Sequence, residues 1–211
     1  MFSAGVLAFR EFVMREPLPL ATIQESVLEF LRGRDDVALF GAQAVNAYVD
    51  EPRMTQDIDL LSPRARELAE ELRELLSEKF HIAVRVREVG EGKGFRIYQV
   101  KKKGNRHLAD VRVVAQLPET HTVEGIKVLS PAELIASKVI SYNARRGKPK
   151  SGTDWRELAV LLLTFPELKS EQSEVAAILR HSEASESVSQ VWRELVAQEI
   201  KLETDDEDLD F

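Results

Sequence analysis

The hydrophobic and polar positions of the chain follow two spacings, and the change between them divides the sequence. Up to about residue 128, short apolar runs typical of strands alternate with stretches of helical spacing. From Ser130 onward the spacing is helical throughout. The pattern predicts an α/β (α+β) domain over residues 1–128, a helical region packed on it over 129–202, and an acidic disordered tail over 203–211.

Periodicity and capping residues set the predicted elements. A capping box starts at Thr22, and Gly33 ends the helix that follows. A second capping box starts at Ser130, with Pro131 at the first helical position. Helices are predicted over residues 4–14, 22–32, 42–48, 62–80, 153–164, 171–181 and 185–200, with one more from Pro131. Strands are predicted over residues 37–40, 57–61, 82–89, 95–101 and 108–114.

Length and composition exclude several classes of protein. A chain of 211 residues with 44% hydrophobic content is large enough for a sizeable core. Its longest apolar runs are too short to span a bilayer, and Met1–Ala4 lacks the basic flank of a signal peptide. We therefore expect a cytoplasmic protein without a membrane partner. The absence of cysteine excludes disulfides and thiolate chemistry, and the four histidines lack zinc-like spacing.

The net charge of −7 is concentrated at the carboxyl terminus. Six acids within the last nine residues leave about −1 for everything before them. The nearly neutral body carries two basic islands, Lys101–Lys103 with Arg106, and Arg145-Arg146 with Lys148 and Lys150. The tail is predicted to be solvated and disordered; an arm that shields the basic islands is the alternative. An RNA partner is compatible with this distribution, although a soluble turn also explains the first island.

Two carboxylates, Asp57 and Asp59, lie inside an otherwise apolar, strand-like run. Side chains alternate across a strand, so both acids point to one face while Ile58 and Leu60 point to the core. Two carboxylates about 4 Å apart repel by roughly 4 kcal/mol at an effective dielectric near 20, so the pair needs a cation, a shared proton or open water. A divalent metal is the usual solution, and a solvated strand edge is the alternative.

Gly41 follows the apolar run 37–40 and precedes a short predicted helix. A strand, a glycine and a helix start present free backbone N–H groups to a phosphate, and glycine allows close approach. A tight turn is the alternative interpretation. Together with the acidic pair, the arrangement favours Mg²⁺ (or Mn²⁺) held by carboxylates, water and substrate phosphates, and it suggests nucleotide chemistry.

At these residues the chain resembles the nucleotidyltransferase superfamily, whose fold is shared with DNA polymerase beta, and more closely the AbiEii-type nucleotidyltransferase-like toxins. That family has a glycine turn, a helix, an Arg-x-Thr-x-Asp-x-Asp-Leu segment, a later strand carboxylate, and a helical region with Lys and Asp. The resemblance covers roughly residues 35–165. The matching positions are Gly41, Arg53, Thr55, Asp57, Asp59, Leu60, Asp110, Lys138 and Asp154.

The resemblance implies a nucleotidyltransferase-like mixed sheet flanked by helices. It also implies an Mg²⁺-dependent enzyme that moves a nucleoside monophosphate from an NTP to a hydroxyl of tRNA or protein, as the toxin of a toxin–antitoxin pair. An antitoxin is then an expected partner. The expected catalytic residues are Asp57, Asp59, Asp110, Lys138 and Asp154, with Asp57, Asp59 and Asp110 as metal ligands. The expected nucleotide contacts are Gly41, Ala42, Arg53, Thr55, Lys138 and Arg145.

Ala42 departs from the family pattern, because many of these transferases have a serine there whose hydroxyl helps to hold a phosphate. Backbone N–H groups could still serve. The alternative function is a catalytically inactive nucleotide-binding or interaction module on the same fold. Retention of Asp57, Asp59 and Asp110 favours the enzyme, since binding alone would not require all three.

Two strand residues and a strand carboxylate have structural explanations as well. Arg53 and Thr55 either hold phosphate or brace the acidic strand. Asp110 shares a strand face with Arg112 and could pair with a neighbouring arginine, or it could complete a two-metal site for in-line displacement.

The helical matches also leave alternatives open. Lys138 shares one helix face with Tyr142 and Arg145, which is either a solvated stripe or, if it meets the acidic strand, a triphosphate contact. Asp154 follows Ser151 in a Ser-x-x-Asp arrangement. It either caps the following helix or orients Lys138 or an arginine.

Overall fold

A computed structural model describes residues 18–50, 52–182 and 184–201 of the chain. The helix predicted at residues 4–14 and the acidic tail at residues 203–211 lie outside the described residues. The chain divides between Ser130 and Pro131 into two units. Among the described residues, no helix is both long enough and apolar enough to cross a membrane.

The amino-terminal unit contains one mixed sheet of seven strands. Its elements in chain order are α1 (Leu20–Leu31), β1 (Ala38–Phe40), α2 (Gly41–Asn46), β2 (Ile58–Ser62), α3 (Ala65–Phe80), β3 (Val84–Val89), β4 (Gly94–Gln99), β5 (Arg106–Val113), β6 (Thr120–Val123) and β7 (Ile126–Leu129). The strand order is β3-β4-β5-β2-β1-β7-β6. The β2–β5 and β1–β7 pairs are parallel and the other four are antiparallel. A mixed sheet with helices confirms the predicted α/β fold.

The core of this unit lies between the sheet and the apolar stripes of α1 and α3. The stripe of α3 consists of Leu68, Leu72 and Leu76, which are fully buried, together with the buried Ala65 and Ala69. The spacing of three and four residues places these side chains on one helix face. Full burial of a leucine side chain contributes about 1.5–3 kcal/mol, so this stripe fixes α3 against the sheet. The predicted stripe is confirmed except at Leu75, which is only half-buried.

Two predicted helix starts differ from the structure. The first helix begins at Leu20 after an extended Pro19, so Thr22 lies within its first turn and the predicted capping box is wrong. Gly33 does end this helix, and its N–H donates to the carbonyl of Gly125. α3 begins at Ala65, because Ser62 still belongs to β2 and its hydroxyl donates to the carbonyl of Asp36.

β6 and β7 are two strands that the sequence pattern does not predict. Both strands are only four residues long and are joined by the two-residue turn Glu124-Gly125, so their alternation is too short to stand out. β7 pairs in parallel with β1, with Leu39 opposite Val128. This pairing buries β1 in the middle of the sheet, directly before the Gly41 turn.

The carboxyl-terminal unit is helical among its described residues. It consists of α4 (Pro131–Arg145), α5 (Ser151–Thr164), a 3₁₀ turn (Pro166–Leu168), α6 (Glu174–His181) and α7 (Glu186–Ala197). α4 packs against α5, α6 and α7. Leu134, Ile135 and Val139 of α4 are fully buried, as are Leu158 and Leu161 of α5, and Trp192 of α7 is almost fully buried. The predicted helical pattern after Ser130 is confirmed, with ends shifted by up to three residues.

Candidate active site

One face of the sheet carries a row of charged side chains across three neighbouring strands. Asp59 of β2 is directly opposite Asp110 of β5, and Asp110 is directly opposite Arg96 of β4. Residues directly opposite each other point to the same face of a sheet. The alternating residues of β2, Ile58 and Leu60, are fully buried on the other face. The sheet therefore separates an apolar core face from an open face that carries these charges.

His107 joins Asp57 to Asp110 on the open face. Its Nδ1 lies 3.0 Å from Asp57 Oδ2, and its Nε2 lies 3.0 Å from Asp110 Oδ1. The ligand atoms of these three residues all lie within 4.8 Å of one another. Ionised carboxylates only accept hydrogen bonds, so an imidazole that binds one at each nitrogen must carry both protons. His107 is therefore a cation between two anions.

A shift in register of β5 brings His107 and Asp110 to the same face. His107 pairs with Tyr98 while Ala109 pairs with Ile97, so Leu108 is an extra residue in β5. In a regular strand, residues three apart point to opposite faces. The extra residue shifts the alternation by one, and Leu108 is buried next to Ala109. Strict alternation from the sequence could not predict this contact.

Asp110 is held on its other side by Arg96. The Nε and Nη2 atoms of Arg96 donate to the two carboxylate oxygens at 2.9 and 3.0 Å. The sequence suggested Arg112 as a neighbour of Asp110. Arg112 instead lies over the ring of Phe40, with its guanidinium carbon 4.6 Å from the ring centroid. Asp110 thus has an arginine partner, supplied by the adjacent strand.

These contacts shift the ionisation of all three members of the cluster. Hydrogen bonds first to Asp110 and then to Asp57 raise the pKa of His107 to about 9. Burial acts to raise the pKa of Asp110, but hydrogen bonds from His107 and Arg96 outweigh it and lower this pKa to about 2. The hydrogen bond from His107 lowers the pKa of Asp57. At neutral pH the cluster consists of carboxylates held by two cations.

Gly41 is required by Asp59. Gly41 has φ = +72°, and a Cβ built on it would lie 2.1 Å from Asp59 Oδ2. No side chain fits there, so glycine allows the Asp59 carboxylate to lie directly against the backbone at the start of α2. Ala42 is the next residue of α2 and is half-buried. The Gly41 turn and the acidic strand, which sequence analysis treated as two motifs, form one structural unit.

Three buried amide side chains hold the irregular segment that leads to Asp57. Asn46 Nδ2 donates to the carbonyl of Arg53 at 2.7 Å, and the N–H of Arg53 donates to Asn46 Oδ1 at 3.1 Å. Thr55 Oγ1 donates to Gln43 Oε1, and Gln24 Nε2 donates to the carbonyl of Thr55. Thr55 therefore braces the segment in this structure.

In the carboxyl-terminal unit, Lys138 is buried and forms an ion pair with Glu157. Lys138 lies on α4 and Glu157 on α5, where only 3% of the side chain is exposed. The interpretation of Lys138 as part of a solvated stripe is wrong, because α4 buries this residue against α5. Glu157 is not among the predicted site residues, although it follows Asp154 by three residues on the same helix.

Asp154 accepts hydrogen bonds from Arg145. The Arg145 Nη1 atom lies 3.0 Å from both Asp154 carboxylate oxygens, and Asp154 is almost fully buried. α5 begins at Ser151, and the Ser151 hydroxyl donates to the carbonyl of Lys148. The proposed Ser-x-x-Asp cap is therefore wrong, because Ser151 is already helical. Asp154 orients an arginine, which was the alternative.

The sequence of the chain matches one protein family over most of its length. Residues 26–209 match the family described as "Nucleotidyl transferase AbiEii toxin, Type IV TA system". Among curated protein sequences, no significant match is found.

The fold is similar to that of solved structures. The Megavirus polyadenylate synthase superposes with a TM-score of 0.57 and 17% identity, over 70% of this chain and 32% of that protein. JHP933 from Helicobacter pylori superposes with a TM-score of 0.52 and 10% identity, over 90% of each chain. This chain thus spans about a third of the polyadenylate synthase. At these identities the similarity shows a shared fold.

Substitution of Gly41 tests the coupling between the glycine turn and Asp59. We expect Gly41→Ala to lower the free energy of unfolding by about 1–3 kcal/mol more than Gly33→Ala. Gly33 is the matched control because its φ is +73° but a Cβ there would meet nothing within 4 Å. Urea unfolding measures both variants. Equal losses would show that Asp59 does not need the space above Gly41.

The titration of His107 tests the charged cluster in the metal-free protein. Because the folded pKa of about 9 lies above the ordinary histidine pKa of 6.5, this group stabilises the fold fully below pH 6.5. That contribution is lost as the pH rises through 9. We expect NMR to show the His107 ring titrating near pH 9, and Asp57→Asn to lower this pKa. A ring that titrates near 6.5 would contradict the bridge.

The buried ion pair of the helical unit makes a stability prediction. Lys138→Met should destabilise the protein by about 3–5 kcal/mol, because the buried Glu157 carboxylate loses its ammonium partner. Replacement of both residues, Lys138→Met with Glu157→Leu, should recover part of the loss. The exposed Lys150→Met is the control for loss of a positive charge. If thermal unfolding shows that Lys138→Met loses no more stability than the control, the buried ion pair is contradicted.

Proposed function

Since the chain belongs to the AbiEii family of nucleotidyl transferase toxins of type IV toxin–antitoxin systems, an enzyme family, we propose that it transfers a nucleoside monophosphate from an NTP to a hydroxyl acceptor and that Mg²⁺ or Mn²⁺ is required. The observation that carries this proposal is the position of Asp57, Asp59 and Asp110 on the open sheet face beside the Gly41 turn. Folding alone does not call for three carboxylates there.

The donor atoms of the cluster fit a divalent cation. Asp57, Asp59 and Asp110 supply carboxylate oxygens, which Mg²⁺ and Mn²⁺ prefer. The Asp57 and Asp110 oxygens lie close enough to share one ion, and Asp59 is directly opposite Asp110. We propose these three residues as the ligands, with His107 as the hydrogen-bonding partner of Asp57 and Asp110. A bound ion would neutralise charge on the phosphates during displacement at the α-phosphorus.

The residues around the cluster divide between holding phosphate and holding the chain. We propose that the backbone at Gly41 and Ala42 faces the phosphates, as the family resemblance implies, and that the half-exposed Arg53 adds a positive charge there. Thr55, with its hydroxyl bonded to Gln43, positions the segment before Asp57. In the helical unit, we propose that Lys138 supplies a positive charge for the phosphates. Asp154 is proposed to orient Arg145 through their hydrogen bond.

RNA is the acceptor that the surface charge favours over protein. The row that contains Asp110 and Arg96 continues to β3, where Arg87 lies directly opposite Arg96 and Arg85 directly opposite Tyr98. Arg85 and Arg87 are exposed. Basic side chains can bind the phosphate backbone of RNA, and an aromatic ring can stack on a nearby base. Beside the acidic cluster, such contacts would position the RNA without reading its sequence. The toxin function and an antitoxin partner follow from the family description and belong to this proposal.

The proposed reaction is tested by label transfer. Full-length protein would be incubated with each α-labelled NTP, with Mg²⁺ or Mn²⁺, and with total RNA plus cell lysate. We expect label in RNA from at least one NTP, and a loss of at least about 100-fold in Asp59→Asn, the scale of losing one charge-stabilising group. Asp50→Asn, an exposed acid outside the cluster, is the control and should retain activity.

The outcomes separate the candidate functions. Label in protein would keep the reaction but change the acceptor. No label with any NTP, together with binding of NTP by the wild type, would favour the alternative of an inactive nucleotide-binding module, to which the Ala42 substitution points. Equal labelling by wild type and Asp59→Asn would reject the proposed site.

A further inference from the structure

Building on the proposed metal-dependent function, we infer that Arg96 competes with the divalent ion for Asp110. In the metal-free protein its guanidinium occupies both Asp110 oxygens. The ion can bind Asp110 without a competing cation on the same oxygens only after this guanidinium has moved. Arg96 therefore sets the metal affinity of the site.

The number of hydrogen bonds at Asp110 supports this competition. An ionised carboxylate offers about four lone-pair sites. Arg96 uses one on each oxygen, and His107 Nε2 uses another on Oδ1. About one site on Oδ2 then remains, so an ion could reach Asp110 through a single oxygen only, directly beside the guanidinium, where the two positive charges repel.

The charges of the cluster lead to the same conclusion. Asp57, Asp59 and Asp110 carry three negative charges, and Arg96 and His107 carry two positive charges. The two cations thus already neutralise most of the negative charge that would attract a metal. A bidentate arginine–carboxylate pair is among the stronger ion pairs, so its rupture opposes metal binding.

Arg96 is placed so that it can leave Asp110. Its side chain is 48% exposed, so release costs little packing. Arg87 lies directly opposite it on β3, and like charges in this position repel. Among the described residues, no carboxylate is paired with Arg87, so this repulsion favours the pairing of Arg96 with Asp110 when metal is absent. Once released, the guanidinium stays on the open face, where an anionic phosphate can be its next partner.

The test is a titration of the metal-free, full-length protein with Mn²⁺ by isothermal calorimetry. Because Arg96→Gln removes the competing cation, we expect it to bind Mn²⁺ at least about tenfold more tightly than the wild type. Arg96→Lys, which can reach only one oxygen at a time, should fall between the two. Arg87→Gln is the matched control: it removes the same charge from the neighbouring strand without touching Asp110, so it relieves only the repulsion on Arg96, and its affinity should rise by no more than a few-fold, well below the change in Arg96→Gln.

Each result bears on a distinct claim. Unchanged or weaker Mn²⁺ binding in Arg96→Gln would overturn the competition, while wild-type binding that disappears in Asp59→Asn would still support the proposed metal site. Equal tightening in Arg87→Gln would also overturn it, because a general change in field would then explain both variants. If neither the wild type nor Arg96→Gln binds Mn²⁺, the metal site and the competition both fail. Thermal unfolding of all variants shows that the fold is intact.

Discussion

The repulsion among three carboxylates on one sheet face is the constraint on which the rest of the amino-terminal unit depends. Asp59 and Asp110 are directly opposite each other on parallel strands, and Asp57 is close to Asp110. The protein compensates with His107 and Arg96, which bind Asp110 from both sides. Two further features follow from this constraint. The extra residue in β5 places His107 on the same face as Asp110, and the absence of a side chain at Gly41 leaves space for the Asp59 carboxylate. The open face is organised around charge, and the opposite face around apolar burial.

Local pattern was sufficient to predict the mixed α/β fold, the helical region after Ser130 and the acidic strand. The apolar stripe of α3 and the alternation of β2 are set by residues three, four or two positions apart, so they can be seen in one segment. β6 and β7 were missed because strands of four residues depend on their pairing, and β7 pairs with β1, which lies about 90 residues earlier, while β6 pairs only with β7. Thr22 was misassigned because Pro19 starts the helix one turn earlier.

The partners of the predicted site residues depend on tertiary structure. Asp57, Asp59, Asp110, Lys138 and Asp154 were chosen by residue type and family resemblance, whereas Arg96, His107 and Glu157 were not. His107 meets Asp110 only because β5 shifts its register, and Arg96 meets it only across strands. Glu157 meets Lys138 only because α4 and α5 pack together. Spacing in the sequence gives no signal for such pairs. Arg145 and Asp154 are the exception, because orientation of an arginine is one of the two roles that the sequence offers for Asp154.

The central claim is that the carboxylates of the open face form a divalent-metal site for nucleotidyl transfer. A crystal structure with Mn²⁺ and a non-hydrolysable NTP analogue tests it most directly, because anomalous scattering locates the ion without assumption about activity. We predict an ion coordinated by oxygens of Asp57, Asp59 and Asp110 at about 2.0–2.3 Å, with a phosphate oxygen in its shell and Arg96 no longer bidentate on Asp110. An ion bound elsewhere, or a nucleotide bound with Asp110 still held by both Arg96 and His107, would contradict the account.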